Sequence, residues 1–445
     1  MGNFTLKISD RLKSPDERLS PKLLLLKKSQ YWLNEEIEKY QRNKLRNLID
    51  HAYRNVPYYH SVFKNACVLP ADIQTAEDLR KLPALTKDIL RGNLDQLTAP
   101  ELKHRAIPYR TGGSTGEPMR FFIENSMLAW SSAARYRAWS WCDFNFGDKC
   151  AMLWGASFDL NKSKSLKGKL KNIVKRNIIF NAFELSDEKM ASYAKDMASF
   201  KPKVIRSYSS AMYTFARFVK ENDIRGIEPI SIITTAENLY PHQRKLIEEV
   251  FGCNVYDGYG SRETSLIAHE CEARNGYHIS DENSIVEFLD KNGEPVAPGE
   301  SGEIVITDFH NMVMPWIRYK IGDLGTPTDE KCSCGRTLSM MKSIDGRVHD
   351  IFVTPDGRRV PGEFFPHLFK DVDGIKEYQL VQKSKDRIVV SIVKSPKFTE
   401  SHVQYLLQHM KEYLGEDVEI EFVYPDKIDW PESGKRRFTI SEIRD

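Results

Sequence analysis

Residues 109–122 read YRTGGSTGEPMRFF, with three glycines and several hydroxyl side chains set between a basic stretch and an apolar run. Glycines let backbone N–H groups converge on an anion, and Thr111, Ser114 and Thr115 add hydroxyl donors that suit phosphate oxygens. The spacing is not that of a Walker loop. Gly116 is followed by Glu117 and Pro118, so the lysine and hydroxyl residue that grip phosphate and magnesium in that motif are missing. Met119 to Ile123 reads as a strand, which also withdraws the argument from a helix dipole. Alone, the loop is either a phosphate cradle or a flexible turn.

Four other stretches could do chemistry. Thr235 to Asn238 reads TAEN and Asp257 to Glu263 reads DGYGSRE, each after an apolar run. An acid and an aromatic at the ends of parallel strands sit at the carboxyl edge, where α/β proteins bind ligands. Ile317 to Gly325 reads IRYKIGDLG, placing Asp323 after a glycine where its carboxylate could accept two ribose hydroxyls. Pro431 to Arg437 reads PESGKRR, an exposed glycine-lysine near the C-terminus. Each in isolation reads as a turn.

The elements that must position these residues follow from periodicity. From Tyr31 to Asn55 the apolar residues Leu33, Ile37, Tyr40, Leu48 and Ala52 predict a long amphipathic helix stopped by Val56-Pro57, with an irregular, proline-punctuated segment from Pro57 to Asn93. The middle alternates strands (Ala151 to Trp154, Val204 to Ser207, Ile230 to Thr235) with helices (Met190 to Phe200, Ala211 to Lys220, Pro241 to Phe251), the pattern of an α/β fold with largely parallel strands. After Cys271, Ile285 to Leu289, the turn at 291–295 and Glu303 to Thr307 predict a β-rich subdomain. The last hundred residues read as a compact α+β module: strands at Tyr378 to Gln382, Arg387 to Val393 and Val418 to Val423, and a helix whose face carries Val403, Leu406, Leu407, Met410 and Leu414, ended by Gly415. The fold class is therefore α/β, with a large N-terminal domain of mixed sheets over 1–345 and a small α+β domain over 346–445. The boundary is set at Asp345-Gly346-Arg347.

Composition narrows the function. The 445 residues carry a formal net charge of +3, too little for a nucleic-acid footprint. One basic tract, Lys162 to Arg176, holds seven Lys or Arg in fifteen residues; it reads as a solvated loop, with contact to an anionic ligand or membrane face as the alternative. No apolar run approaches the roughly 18 residues of a membrane span, and no signal or myristoylation pattern opens the chain, so a cytoplasmic location is expected. Seven cysteines, unevenly spread, do not make a disulfide framework.

Taken in order, TGGSTGEP, YGSRE, RYKIGD, GRVHD (346–350) and SGK, with VPYYHSVF (56–63) and LPALTKDIL (82–90) before them, resemble the adenylate-forming superfamily of acyl-CoA synthetases, and within it the phenylacetate-CoA ligase and CapK-type capsule-polysaccharide branch. The resemblance spans nearly the whole chain, and the pairing of the loop with YGSRE is its most specific part. It implies that Thr111, Gly113, Ser114, Thr115 and Gly116 hold the β- and γ-phosphates of ATP. It implies that Glu237, Asp257, Tyr259 and Gly260 form the adenine pocket with the tyrosine ring on the base, that Glu263 holds Mg2+ and that Asp323 takes the ribose hydroxyls with Arg347 close by at the hinge. Attack of a carboxylate on the α-phosphorus joins two anions, whose repulsion must be neutralised. Lys435 is the implied cation, on a module that closes for adenylation and moves afterwards.

The resemblance thus implies an AMP-forming ligase that takes a small carboxylic acid and passes the acyl group to CoA. The CapK likeness offers a second acceptor, an amine or hydroxyl of a polysaccharide precursor, and a non-catalytic scaffold of such a pathway is the third reading. The chain departs from the pattern where Glu117 replaces a lysine, leaving Arg120 as the nearest cation, and where His349 replaces an acid in the hinge. Both departures bear on the second half-reaction more than on adenylation. Tyr208, Ser209, Ser210 and Tyr213 are expected near the acyl pocket, and a homodimer is compatible with the sequence.

The remaining cysteines acquire a reading here. Cys332-Ser333-Cys334 offers two thiolates, and Cys271 with His278 adds a C-x6-H pair, together four ligands for a structural Zn2+ of the kind some members of this branch carry. His269 is a competing ligand, and free thiols in a turn are the alternative.

Overall fold

Pro57 lacks the N–H that a helix interior needs, yet at the first helical position that loss is harmless. This decides the N-terminal third. In the computed structural model, which describes residues 14–110, 119–154, 176–182, 185–347, 351–361, 364–369, 372–430 and 437–443, helices α1 (Leu19–Ser29) and α2 (Asn34–Asn55) are followed at once by α3 (Pro57–Asn65). The segment expected to be irregular is thus partly helical. Val56 takes an extended backbone between the two helices, and Pro57 opens the second. Two short 3-10 turns and α4 (Lys87–Gly92) complete it, α4 being capped by the Thr86 hydroxyl, which accepts from the Ile89 N–H at 3.3 Å. The predicted long helix is α2, and it buries Ile37, Leu45, Leu48, Ile49 and Ala52.

Strands β1 (Ile107–Arg110) and β2 (Arg120–Ile123) pair antiparallel and lead into α5 (Asn125–Ser140). The alternating region then runs β3 (Cys150–Trp154), β4 (Asn177–Asn181), α6 (Asp187–Phe200), β5 (Val204–Tyr208), α7 (Ser209–Glu221), β6 (Ser231–Thr235), α8 (Pro241–Phe251) and β7 (Asn254–Ser261). These strands pair parallel, as apolar runs separated by helices require. The β-rich stretch follows as β8 (Ser265–Glu270), β9 (Tyr277–Ile279), β10 (Ser284–Leu289), β11 (Gly302–Asp308), β12 (Tyr319–Thr328) and β13 (Met340–Arg347), all antiparallel to their neighbours. It is not a detached sheet. Its strands continue the parallel half in one eleven-stranded sheet of order β10-β11-β12-β13-β9-β8-β7-β6-β5-β3-β4. Strand β7 is the seam, parallel to β6 on one side and antiparallel to β8 on the other.

The C-terminal stretch forms its own sheet. After the hairpin β14 (Ile351–Val353) and β15 (Arg359–Pro361) and the short α9 (Phe364–Phe369), β16 (Ile375–Ser384), β17 (Arg387–Lys394), β18 (Glu419–Val423) and β19 (Thr439–Ser441) pair in the order β18-β17-β16-β19. Helix α10 (Glu400–Leu414) buries Leu406, Met410 and Leu414 against a core of Leu380, Ile388, Val390 and Ile392. Gly415 ends it at φ +105°. This unit has its own hydrophobic core, distinct from the clusters formed around the large sheet.

The N-terminal helices are tied to the large sheet by a buried charge. Arg137 on α5 is fully buried, and its guanidinium donates to both oxygens of the equally buried Glu282 at 2.8 and 3.0 Å. Ser29 at the end of α1 donates to the same carboxylate. Removing the cation leaves a buried carboxylate nearly unpaired, which typically costs about 3–5 kcal/mol. Arg137→Leu should lower the free energy of unfolding by that amount in urea titrations, and an Arg137→Leu, Glu282→Leu pair should recover most of it.

Candidate nucleotide site and thiol-imidazole cluster

Of the residues singled out in the sequence, the loop Thr111 to Gly116, with Gly113, Ser114 and Thr115, and the C-terminal Lys435 and hinge His349 lie outside the described residues. Their anchors are described. Strands β1 and β2 close the loop as a hairpin, Arg110 opposite Arg120, so the loop joins strand to strand as the sequence predicts. The segment bearing Lys435 runs straight into β19, where Gln379 donates to the Arg437 carbonyl at 3.0 Å and the Leu380 N–H to the Phe438 carbonyl at 2.8 Å.

Around the seam strand, side chains from distant motifs meet. The Tyr259 hydroxyl donates to Asp323 Oδ2 at 2.9 Å, joining YGSRE to RYKIGD. Asp323 is also the register partner of Arg347, so the end of β13 lies beside it. Glu263 sits buried in the turn between β7 and β8, where the Tyr319 hydroxyl donates to its Oε1 at 3.1 Å. Glu237 follows Ala236, a non-glycine residue at φ +73°, and accepts from the Ser210 N–H at 2.9 Å, which places a carboxylate at the start of α7.

Asp257 is held differently. Its carboxylate accepts from the Thr234 hydroxyl at 2.7 Å and the Tyr277 hydroxyl at 3.0 Å, and its N–H donates to Glu270 at 2.7 Å. Arg244 in turn donates to both Glu270 oxygens at 2.8 and 2.9 Å. Burial raises the pKa of Asp257, opposed by these donors, and burial carries Glu270 up to about 7. The Asp257 carboxylate and N–H are therefore engaged by the scaffold around the seam. Tyr319, Tyr277, Thr234, Arg244 and Glu270 escape sequence reasoning because each is an ordinary strand or helix residue. Only Tyr319 lies in a stretch that is legible as a motif.

Glycines in DGYGSRE are needed for packing. A Cβ at Gly258 would lie 2.7 Å from the His269 ring, and one at Gly260 would collide with the backbone carbonyl of Ser265. The β7–β8 ladder shifts register at that position.

The four sulfur and imidazole candidates converge. Ligand atoms of Cys271, His278, Cys332 and Cys334 lie within 4.8 Å of one another. Cys271 and Cys332 sulfurs are 3.5 Å apart, and Cys334 Sγ is 3.2 Å from His278 Nε2. Cys271 follows β8, His278 lies in β9, and β9 pairs with β13 just beyond the Cys332–Cys334 turn. Burial pushes the Cys271 thiol up to about 12 and His278 down to about 4. His269 stands apart: its Nδ1 lies 2.7 Å from the Glu270 carbonyl and its ring packs against Gly258.

Known proteins share these features. The model of the CapK C-terminal domain family matches residues 352–442. The chain is 25% identical to the CapK protein of Staphylococcus aureus over 416 residues, covering 91% of this chain and 89% of that one. It is 26% identical to the phenylacetate-coenzyme A ligase of Thermus thermophilus over 367 residues, 78% of each chain. A solved 2-hydroxyisobutyryl-CoA ligase in its postadenylation state, bound to an acyl-AMP, superposes with a TM-score of 0.75 at 19% identity, covering 93% of both chains. Fold, motif order and relatives together define an AMP-forming ligase of the adenylate-forming superfamily. Within that superfamily the chain is most like the phenylacetate-CoA ligases and CapK among the relatives named, and its residues 352–442 match the CapK C-terminal domain. No described helix is long and apolar enough to cross a membrane.

Gly260→Ala should destabilise the protein by about 2 kcal/mol or more, because the obstructing atom is backbone and cannot rotate away. The check is a denaturant midpoint beside that of Gly293→Ala, where no atom lies within 4 Å of the added carbon. Gly293 has φ +83°, so some strain is expected in that control, without collision.

Proposed function

We propose that the protein activates a carboxylic acid with ATP, forming an acyl-adenylate and pyrophosphate, and passes the acyl group to CoA. The observation that carries this reading is the Tyr259–Asp323 hydrogen bond, which puts an aromatic ring and a carboxylate side by side at the sheet's seam. Tyr259 would stack on adenine, Asp323 would accept the ribose hydroxyls, and Glu237 and Asp257 would line the pocket with Gly260. Glu263 would offer Mg2+ a hard oxygen ligand, oriented by Tyr319, and bound Mg2+ would offset charge on the phosphates. Thr111, Gly113, Ser114, Thr115 and Gly116 would receive the β- and γ-phosphates. The strands that flank this loop carry Arg110 and Arg120 opposite one another, two positive charges that would attract an anion bound there.

Lys435 is assigned the reacting centre, where its ammonium would bridge the incoming carboxylate and the α-phosphate and relieve their repulsion in the transition state. The acid would bind near Tyr208, Ser209, Ser210 and Tyr213. Because the lysine belongs to the C-terminal unit, we assign residues 1–345 to binding and 346–445 to a mobile module that leaves after adenylation, with Arg347 at the hinge. The likeness to CapK favours a second acceptor, an amine or hydroxyl of a polysaccharide precursor. Product formation without CoA would select it.

The decisive measurement is ATP–pyrophosphate exchange over a panel of aryl, fatty, amino and hydroxy acids. At least one acid should support exchange, and Lys435→Ala should lower it by about 10²–10³-fold, the scale seen when one transition-state donor is removed. No exchange with any acid, or a mutant equal to wild type, would leave the scaffold reading.

We assign Cys271, His278, Cys332 and Cys334 to a structural Zn2+. Zn–S bonds of about 2.3 Å and Zn–N bonds of about 2.0–2.1 Å require tetrahedral ligand pairs roughly 3.3–3.8 Å apart, close to the 3.5 and 3.2 Å separations present. Two soft thiolates beyond the first and a neutral imidazole suit zinc, and four protein ligands leave no position for substrate. The ion would pin the β8–β9 and β13 segments beside the seam. Elemental analysis should find about one zinc per chain, lost along with several degrees of melting temperature in Cys332→Ser, Cys334→Ser. Unchanged metal content and stability would count against the site.

A further inference from the structure

Several arginines that are buried or half-buried among the described residues hold a carboxylate: Arg137 with Glu282, Arg244 with Glu270 and Arg318 with Glu287. Two others do not. Arg206, in the middle of β5, lies with its Cζ 3.9 Å from the ring centroid of Trp139 on α5 and 5.7 Å from that of Trp154 on β3. Its Nε is buried and without a hydrogen-bond partner. Arg135, one turn before Trp139, makes a 3.4 Å contact with the Ser132 hydroxyl. No ion pair reaches either guanidinium among the described residues. Burial, joined by the charge of Arg135, lowers the Arg206 pKa to about 10, and burial lowers that of Arg135. Among the described residues the titratable groups that face them are Tyr136, Tyr109, Cys150 and His269, none of them a carboxylate.

Two neighbouring, half-buried cations with no acid against them among the described residues are unfavourable unless an anion completes the site. The geometry indicates how one would bind. An aromatic face takes the face of a guanidinium, whereas its N–H donors lie in the plane and point past the ring edge, free for a forked acceptor. The surroundings indicate which anion it would be. Tyr109 lies two residues before Thr111 of the glycine-rich loop, and Trp154 and Tyr208 end the parallel strands β3 and β5, the edge where such sheets take ligands. Tyr208 and Trp154 are themselves in ring contact at 4.9 Å, and Tyr208 leads directly into Ser209 and Ser210. The arginine pair therefore lies on the acyl side of the proposed reaction centre.

We propose that Arg135 and Arg206 bind a second anionic group on the acyl substrate. The acid activated by this enzyme is then a dianion, either a dicarboxylate or a carboxylate bearing a phosphoryl or sulfo group. One anionic end is adenylated and the other is held by the arginines between aromatic walls. This assignment rests on the carboxylate-ligase reading and adds the substrate class to it.

The test uses matched acids that differ in one charge, hexanoate against adipate and 4-methylbenzoate against terephthalate, with sulfobenzoate as a third dianion. In ATP–pyrophosphate exchange the wild type should favour a dianion over its monoanionic partner by at least about tenfold in kcat/KM. Arg206→Gln and Arg135→Gln should each reduce that ratio by about tenfold, and Arg206→Lys should retain part of it. Independently of turnover, the preferred dianion without ATP should raise the melting temperature of the wild type and not of the glutamine variants. This measurement also reports whether the variants fold. Preference for the monoanion, or a ratio unmoved by both variants, overturns the proposal and leaves the ligase reading standing. A rise in the KM for ATP with the ratio unchanged assigns the pair to nucleotide phosphates and overturns it too. Absence of exchange with every acid removes the ligase reading, and this proposal with it.

Discussion

Strand β7 must satisfy two incompatible neighbours. On one side β6 runs parallel to it and on the other β8 runs antiparallel, so its backbone meets a slanted ladder and a perpendicular one at once. The register shift beside Tyr259, the glycines at 258 and 260 and the sharp turn that buries Glu263 all follow from that junction. Side chains from distant motifs collect there because a sheet that changes direction leaves its strand ends open on one edge. Tyr259 from the seam then reaches Asp323 from the antiparallel half.

The seam is held by polar groups that are not themselves candidates for chemistry. Thr234, Tyr277, Glu270 and Arg244 enclose Asp257 from four different elements, and each buried donor or acceptor meets a partner. Such a network is stable only when complete, since one missing member leaves a desolvated polar group. The cysteine and histidine cluster adjoins it in sequence, Cys271 beside Glu270 and His278 beside Tyr277. An ion there would act on the nucleotide site through those neighbours.

Much of the fold is legible in the sequence because one physical signal dominates each segment. The helices between Asp187 and Phe251 bury one face each and the strands β5 and β6 are apolar runs buried on both faces, so their spacing is plain. The C-terminal helix is readable from Leu406, Met410 and Leu414, and its end from Gly415. The Pro57 to Asn93 segment is misread because proline signals both a break and a beginning, and only the neighbouring helices decide which. The antiparallel stretch is legible as strands but not as part of the main sheet, since pairing partners separated by long loops leave no local trace.

By itself the sequence determined the class of chemistry. A carboxylate, a tyrosine and an acid in spaced motifs, with a lysine far downstream, carry that information in residue identity, and identity survives without coordinates. Tertiary structure alone decided which side chains are free to act. It engaged the Asp257 carboxylate with the scaffold, drew Cys271 to Cys334 together while leaving His269 aside, and left Arg135 and Arg206 without an acid among the described residues. The reason is that partnership depends on distance and burial, and residues 61 positions apart such as Cys271 and Cys332 become neighbours only when the sheet has formed.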